Sequence, residues 1–317
     1  MAPRATAVLT RTAILAAVYL SVLGLQLVGV IDDYLQATLV MICVNIILAV
    51  SLNLVTGFTG QFSLGHAGFM AVGAYATAMI STSIKGVWGF VLGLVVGALL
   101  AAIIGFLIGL PTLRLRGDYL AIATLGMAEI IRVLLLNFKF TNGAAGLSAI
   151  PRNVNWNWLF VLTVGTVISI SNFLKSRHGR DCIAVREDEI AAESIGVRST
   201  RVKTMAFTVG AVFGALAGGI YASYFYFIKP DLFGFMQSIN ILVIVVLGGL
   251  GSISGSIIAA ILLALVSTLL QPFPEIRMIL YSLALVVLMV FRPQGLMGSR
   301  ELTSGLLTRL LPGGRTE

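Results

Sequence analysis

The sequence predicts an all-α integral membrane protein of about ten transmembrane helices. Three observations predict it: an apolar composition, hydrophobic runs of membrane-crossing length, and basic residues that sort to alternate loops. Of 317 residues, 58% are hydrophobic and 11% charged, with a mean hydropathy of +1.01. So few polar side chains cannot coat a water-soluble particle of this size. The runs fall at 12–31, 35–55, 67–84, 88–110, 119–136, 156–174, 205–228, 238–247, 257–270 and 278–291. The longer ones reach about 20 residues, and at about 1.5 Å per residue these cross a hydrocarbon core of about 30 Å.

Cytoplasmic loops hold an excess of Lys and Arg, so the basic residues test the arrangement. With the N-terminus inside, ten spans place Arg4, Arg11, Arg114, Arg116, Lys175, Arg177, Arg180, Arg186, Arg198, Arg201, Lys203, Arg292, Arg300, Arg309 and Arg315 in the cytoplasm. Outside fall Lys85, Lys139, Arg152, Lys229 and Arg277, with Arg132 inside a span. Loop topology thus accounts for the net charge of +8. A nucleic-acid partner is not expected, because the basic residues are scattered over loops instead of gathered on one soluble face. Membrane lipid is the expected surrounding. The first run exceeds a signal-peptide core and shows no small-x-small cleavage site before Asp32 and Asp33, so it is expected to be retained. Cys43 falls inside a span and Cys182 in the cytoplasm, so no disulfide between them is expected.

The stretch 175–204 is the one long polar segment between spans, a cytoplasmic handle. Within it Arg186, Glu187, Asp188, Glu189, Ile190, Ala191, Ala192, Glu193, Ser194, Ile195 and Gly196 read as one short helix, acids early and Gly at its end. It is either a solvated connector or a small helix laid apolar side first into a groove of a cytoplasmic protein. On the other surface, 141–151 and 230–235 are rich in turn-formers next to membrane ends.

Among the spans, Gly89, Gly93, Gly97, Ala101, Gly105 and Gly109 recur every fourth residue, and Gly210, Gly214 and Gly218 repeat the device. Such stripes let a neighbouring backbone come close. The segment 247–256 holds Gly248, Gly249, Gly251 and Gly255 and interrupts a hydrophobic run; a tight cytoplasmic turn is favoured over an unwound piece lining a pathway. Glu129 and Arg132 lie three apart on one helix face and can pair, a pairing with a reason if they sit at membrane depth, where each charge costs about 2.5–3.5 kcal/mol. Asn45, Asn53, Gln61, Ser63 and His66 form a second polar set around a membrane end, with His66 favoured as a hydrogen-bonded structural residue. His66 and His178 stand in unrelated contexts. The sequence shows no metal-ligand spacing, no nucleophile motif and no nucleotide loop, so no catalytic residue, metal or cofactor is expected.

These residues resemble the branched-chain amino-acid type permease subunits of bacterial ABC importers, over nearly the whole chain after the first span. Asn53, Leu54, Gly57, Gly60, Ser63, Leu64, Gly65, His66, Ala67, Phe69, Gly73, Ala74 and Tyr75 resemble the family's N-terminal signature. Thr141, Gly143, Gly146, Leu147, Ile150 and Pro151 resemble its outer loop, and Gly248, Gly249, Gly251, Ser252 and Gly255 its late glycine motif. Phe291, Pro293, Gly295 and Leu296 resemble its closing motif. The stretch from Arg186 to Gly196, followed by Arg201, Lys203 and Ala206, is similar to the coupling loop that docks ATPase subunits. Against the importer pattern Glu-Ala-Ala-x-x-x-Gly, Ala191, Ala192 and Gly196 fit, while Ile190 stands in place of the Glu and Glu189 comes one position early. Length and the run from Arg116 to Ile122 resemble the longer of two related permeases.

The resemblance implies a single permease domain of type II ABC importer fold, with 175–204 as coupling loop. It implies a second homologous permease subunit, two cytoplasmic ATPase subunits, a periplasmic solute-binding protein, and residence in the bacterial inner membrane with both termini cytoplasmic. Arg186, Glu187, Asp188, Glu189, Ala191, Ala192, Gly196, Arg201 and Lys203 are then ATPase-coupling candidates. Asn53, Ser63, His66, Glu129, Arg132, Gly143, Gly146, Gly248, Gly249 and Gly251 are pathway or packing candidates. The alternative is an ion-coupled secondary transporter or channel for a small polar solute, in which Glu129 and Arg132 are the ionisable residues to hand.

Overall fold

A computed structural model describes residues 16–26, 28–29, 31–112, 115, 117–271 and 295–298, with isolated residues 13, 283 and 286. The expected run at 278–291 lies outside the described residues, as does part of that at 12–31. The helices are α1 (Ala16–Gln26), α2 (Asp33–Asn53), α3 (His66–Ser83), α4 (Val87–Thr112), α5 (Asp118–Asn137), α6 (Trp156–Lys175), α7 (Arg177–Glu187), α8 (Glu189–Ser194), α9 (Ser199–Phe225), α10 (Phe235–Gly248) and α11 (Ile253–Leu269). Among the described residues, six helical segments are long and apolar enough to cross a membrane: Asp33–Phe58, Val87–Thr112, Asp118–Asn137, Trp156–Lys175, Ser199–Phe225 and Pro230–Gly248. Among the described residues, α1 and α11 are shorter apolar helices. α3 is 18 residues long but rich in Gly, Ala, Ser and Thr, and it is covered by protein on most of its surface.

Sequence explains where each helix sits. α2 is apolar almost all round and is buried along its second half, between α9, α10, α11 and α6, as a helix without a polar face must be. α3, α4 and α9 pack as a close trio through the small-residue stripes. Gly73 lies so close to α9 that a Cβ would overlap the Ala215 carbonyl, and one at Gly218 would overlap the Met70 carbonyl. Across the α3–α4 seam, a Cβ at Gly97 would stand 3.1 Å from the Gly73 Cα. The stripes thus replace side-chain interdigitation with backbone contact, which gains dispersion where lipid offers no hydrophobic drive. The far faces of α4, α5 and α6 stay apolar and uncovered, with Leu107, Ile122 and Val161 exposed.

The two ends of the bundle differ. At one end the 141–151 segment folds into 3-10 turns and a two-residue strand β1 (Leu147–Ser148), paired antiparallel with β2 (Phe227–Ile228). This small sheet was not foreseen, since two-residue strands carry no period. The Gly146 Cα packs on the Ile228 carbonyl, while Gly143 turns beside the Leu136 carbonyl. At the other end lie α7, α8, the 54–65 segment and the 249–252 turn.

Candidate functional site

The predicted handle is two helices instead of one. Ser176 caps α7, and Asp188 leaves helical geometry (φ −155°, ψ 112°) to cap α8, accepting from the Ile190 and Ala191 amides at 2.9 and 3.0 Å. An Asp between two glutamates reads as first-turn acid in a single helix; its side chain finds the orphan amides of a new one. α8 is fixed to the start of α9. Lys203 Nζ donates to Glu189 at 2.6 Å, the Ser199 hydroxyl donates to Glu193, and the Val197 amide donates to the Ala192 carbonyl. Ala192 is buried in that seam. Ile190 and Ile195 point away from it, 72% and 78% exposed. Ala191, Arg198 and Arg201 are also exposed. The handle therefore has one apolar side held by protein and a second left open.

Its other attachment runs to the end of α2. There the helix passes into a π turn (Leu54–Phe58), and the Gln61 backbone N–H reaches back to the Val55 carbonyl at 3.1 Å, so the Gly57 carbonyl is left for another donor. Arg186 Nη1 supplies it at 3.0 Å, while its Nε and Nη2 donate to Glu187. Cys182 in α7 is fully buried, and burial pushes its thiol up to about 11.

Asn53 ties the same turn to the glycine motif. Its Oδ1 accepts from the Gly251 amide at 2.9 Å, and its Nδ2 donates to the Ser252 carbonyl at 2.9 Å and the Ser256 hydroxyl at 2.8 Å. The 248–252 segment is the tight turn favoured from sequence, joining α10 to α11, with Gly249 (φ 112°) and Gly251 (φ 84°) in conformations that L side chains rarely adopt. A Cβ at Gly57 would overlap Asn53 Oδ1 and the Gly251 amide. A Cβ at Gly248 would press the Gly255 backbone at 2.6 Å, and Gly295 lies against Gly249. Leu296 and Met297 amides donate to the Leu247 and Gly248 carbonyls at 2.8 and 3.3 Å. Four separately recognised motifs thus meet in one knot. Ser252 and Ser256 were missed as partners of Asn53, because no local pattern relates residues so far apart.

The rest of the polar set divides. His66 is buried, 2.7 Å from the Ser51 hydroxyl, with Gly214 against its ring. The Ser63 hydroxyl accepts from the Gly65 amide at 3.3 Å. Asn45 lies apart, beside Tyr34, Thr38 and Tyr221 in a cavity of about 350 Å³. Both Gln61 amide atoms and the Thr56 hydroxyl are buried with no partner among the described residues, at about 1–3 kcal/mol for each unsatisfied group.

Glu129 and Arg132 do pair, but not as an isolated couple. Arg132 also donates to Asp231 at 3.0 Å, and the three side chains are 23%, 43% and 58% exposed for Arg132, Glu129 and Asp231. They form a clasp between α5 and the 3-10 turn Pro230–Phe233 at the strand end of the bundle. Asp231 was missed, although an acid in a loop at the end reached by α5 is the signal that finds it. Among the described residues no group of three metal-ligating side chains comes together.

The family model described as "Branched-chain amino acid transport system / permease component" matches residues 34–291. The chain belongs to this permease family. It is similar to the high-affinity branched-chain amino acid transport system permease protein LivM of Salmonella typhimurium, 39% identical over 82% of this chain and 69% of that one. It is similarly related to LivM of Escherichia coli K12, at 40% identity with the same shares. The permease protein LivH of Escherichia coli K12 is 26% identical over 80% of this chain and 91% of its own. No solved structure matches. This permease is a multi-pass membrane protein with six long apolar helical segments among the described residues, and the knot's anchor, α2, packs against α6, α9, α10 and α11.

Proposed function

We propose that this permease is the longer of two related membrane subunits of an ATP-driven importer, translocating branched-chain or other small amino acids delivered by a periplasmic binding protein. It sits in the bacterial inner membrane with about ten spans and both termini cytoplasmic, beside a second homologous permease and above two ATPase subunits. The observation that carries this reading is the handle: a short helix with Ile190 and Ile195 exposed, braced on α9 by Glu189 and Lys203 and on α2 by Arg186. Apolar side chains held out at the polar end of a membrane bundle suit a helix-in-groove contact with a soluble partner. The departure from the importer pattern becomes intelligible, since Glu189 serves as the brace to Lys203 instead of meeting an ATPase. The substrate rests on the names of LivM and LivH, both branched-chain amino-acid permease proteins, and the second subunit on there being two such relatives.

ATPase closure displaces the handle, and tightly packed helices with backbone contact pass the displacement on as a rigid-body shift. Reconstitution into proteoliposomes tests the whole reading. Uptake of leucine, isoleucine or valine that requires ATP, the binding protein, both permeases and the ATPases is the expected result. Uptake by this chain alone on an ion gradient would replace the importer with the secondary transporter.

A further inference from the structure

We infer that Arg186 is a positioning residue that carries displacement of α7 and α8 into the spanning bundle, and that it faces inward instead of contacting the ATPase. The inference rests on the importer reading above. Arg186 stands at the last turn of α7, two residues before Asp188 opens α8, so it lies at the joint of the handle. Its guanidinium reaches the free Gly57 carbonyl at the end of α2, where a cation also meets the negative end of the helix dipole. Three glycines make room for it. A Cβ at Gly60 would stand 3.1 Å from Arg186 Cγ, one at Gly251 would stand 2.9 Å from Nη1, and Gly57 supplies the acceptor itself.

Because Asn53 already binds the end of α2 to the 249–252 turn, the group that Arg186 grips is three helices, α2, α10 and α11, joined as one body. The handle's second attachment, Glu189 to Lys203, reaches a different helix, α9. One lever thus holds two parts of the bundle at separate points, which lets a tilt of the handle shift them relative to each other. The segment under Arg186 is also the part of the knot whose Thr56 and Gln61 side chains have no partner among the described residues, so it has hydrogen bonds to gain in a second arrangement.

The test uses the complete importer in proteoliposomes, with Arg186→Gln, Arg186→Lys and, as a docking control, Ile190→Asp. For Arg186→Gln the expected result is normal co-purification of the ATPases and at least a tenfold fall in solute taken up per ATP hydrolysed. Arg186→Lys, able to serve Gly57 or Glu187 but not both with a planar fork, recovers part of that ratio. Ile190→Asp instead loses the ATPases. Unchanged uptake per ATP in Arg186→Gln would overturn the inference, and so would loss of its ATPases, which would move Arg186 to the docking surface. If Arg186→Gln does not accumulate, Arg186→Lys decides: a ratio lowered at least threefold in an assembled complex upholds the coupling role, and a wild-type ratio refutes it. A wild-type chain that gathers no ATPases fails at the importer reading itself and takes the inference with it.

Discussion

Asn53 shows how one polar side chain can be placed by a sequence whose partners cannot. An amide at the end of an apolar helix has to find hydrogen bonds, so its membership of a polar set is legible. That it satisfies the Gly251 amide, the Ser252 carbonyl and the Ser256 hydroxyl is not, because those groups lie about 200 positions away. Asn53→Ala removes all three bonds and leaves the buried Gly251 amide without its acceptor, at about 1–3 kcal/mol for that group. The expected outcome is a substantially lower unfolding temperature in detergent and little assembled protein, read by thermal shift and by size-exclusion yield. Cys182 illustrates the reverse case. A cysteine in a polar cytoplasmic stretch reads equally as packing or surface thiol, and the structure buries it with its pKa raised to about 11. A raised thiol pKa keeps the unreactive protonated form dominant at all pH values well below it. Maleimide at pH 7–8 should therefore leave Cys182 unmodified in the folded chain and modify it once SDS is added, as counted by mass spectrometry.

At the scale of elements, periodic features were readable and junctions were not. The every-fourth-residue stripe of α4 does lie against α3 and α9, since a spacing of four follows one helix face wherever the helix ends up. The break at Asp188 escaped, because helix-favouring acids on both sides hide a capping role that depends on the local backbone. This junction also affects how a docking test should be designed. Gly196, the terminal glycine of the coupling pattern, has φ +92°, so Gly196→Asp combines surface charge with backbone strain. Ile195→Asp changes an exposed apolar side chain without that strain. Both variants should insert normally and abolish uptake. Only Gly196→Asp should also lower the melting temperature of the purified chain, since the strained position costs about 1–3 kcal/mol of stability. Equal uptake in Ile195→Asp and wild type, measured in cells, would remove α8 from the docking surface.

For the whole molecule, the division into two ends was largely legible, and the number of crossings less so. Length and hydropathy find α2, α4, α5, α6 and α9 directly, but α3 trades hydropathy for small packing residues, and α10 spans only together with the turn before it. Arg186 and Arg152, which the basic-residue sorting puts on opposite sides, lie at opposite ends of the bundle, while Arg132, put inside a span, lies near the end that holds Arg152. Arg186 meets Gly57 and Gly251 at one end, while Arg132 meets Asp231, and Arg152 meets Gln36, at the other. A single helix, α6, separates these ends in sequence, and it has Trp156 and Trp158 at its start and Lys175, Arg177 and Arg180 at or just beyond its finish. Aromatic rings settle at a membrane interface and lysine and arginine at the cytoplasmic one, so α6 has its own orientation signal. Cysteines placed on either side of it, Ala144→Cys and Ile195→Cys in a chain otherwise freed of cysteine, report that signal. With an impermeant maleimide on intact cells, position 144 should label at once and position 195 only after permeabilisation. The reverse pattern would invert the molecule and place the handle where no cytoplasmic ATPase could reach it. Labelling of both from outside would mean that α6 does not cross the membrane, and the two-ended bundle on which the coupling argument depends would fall with it.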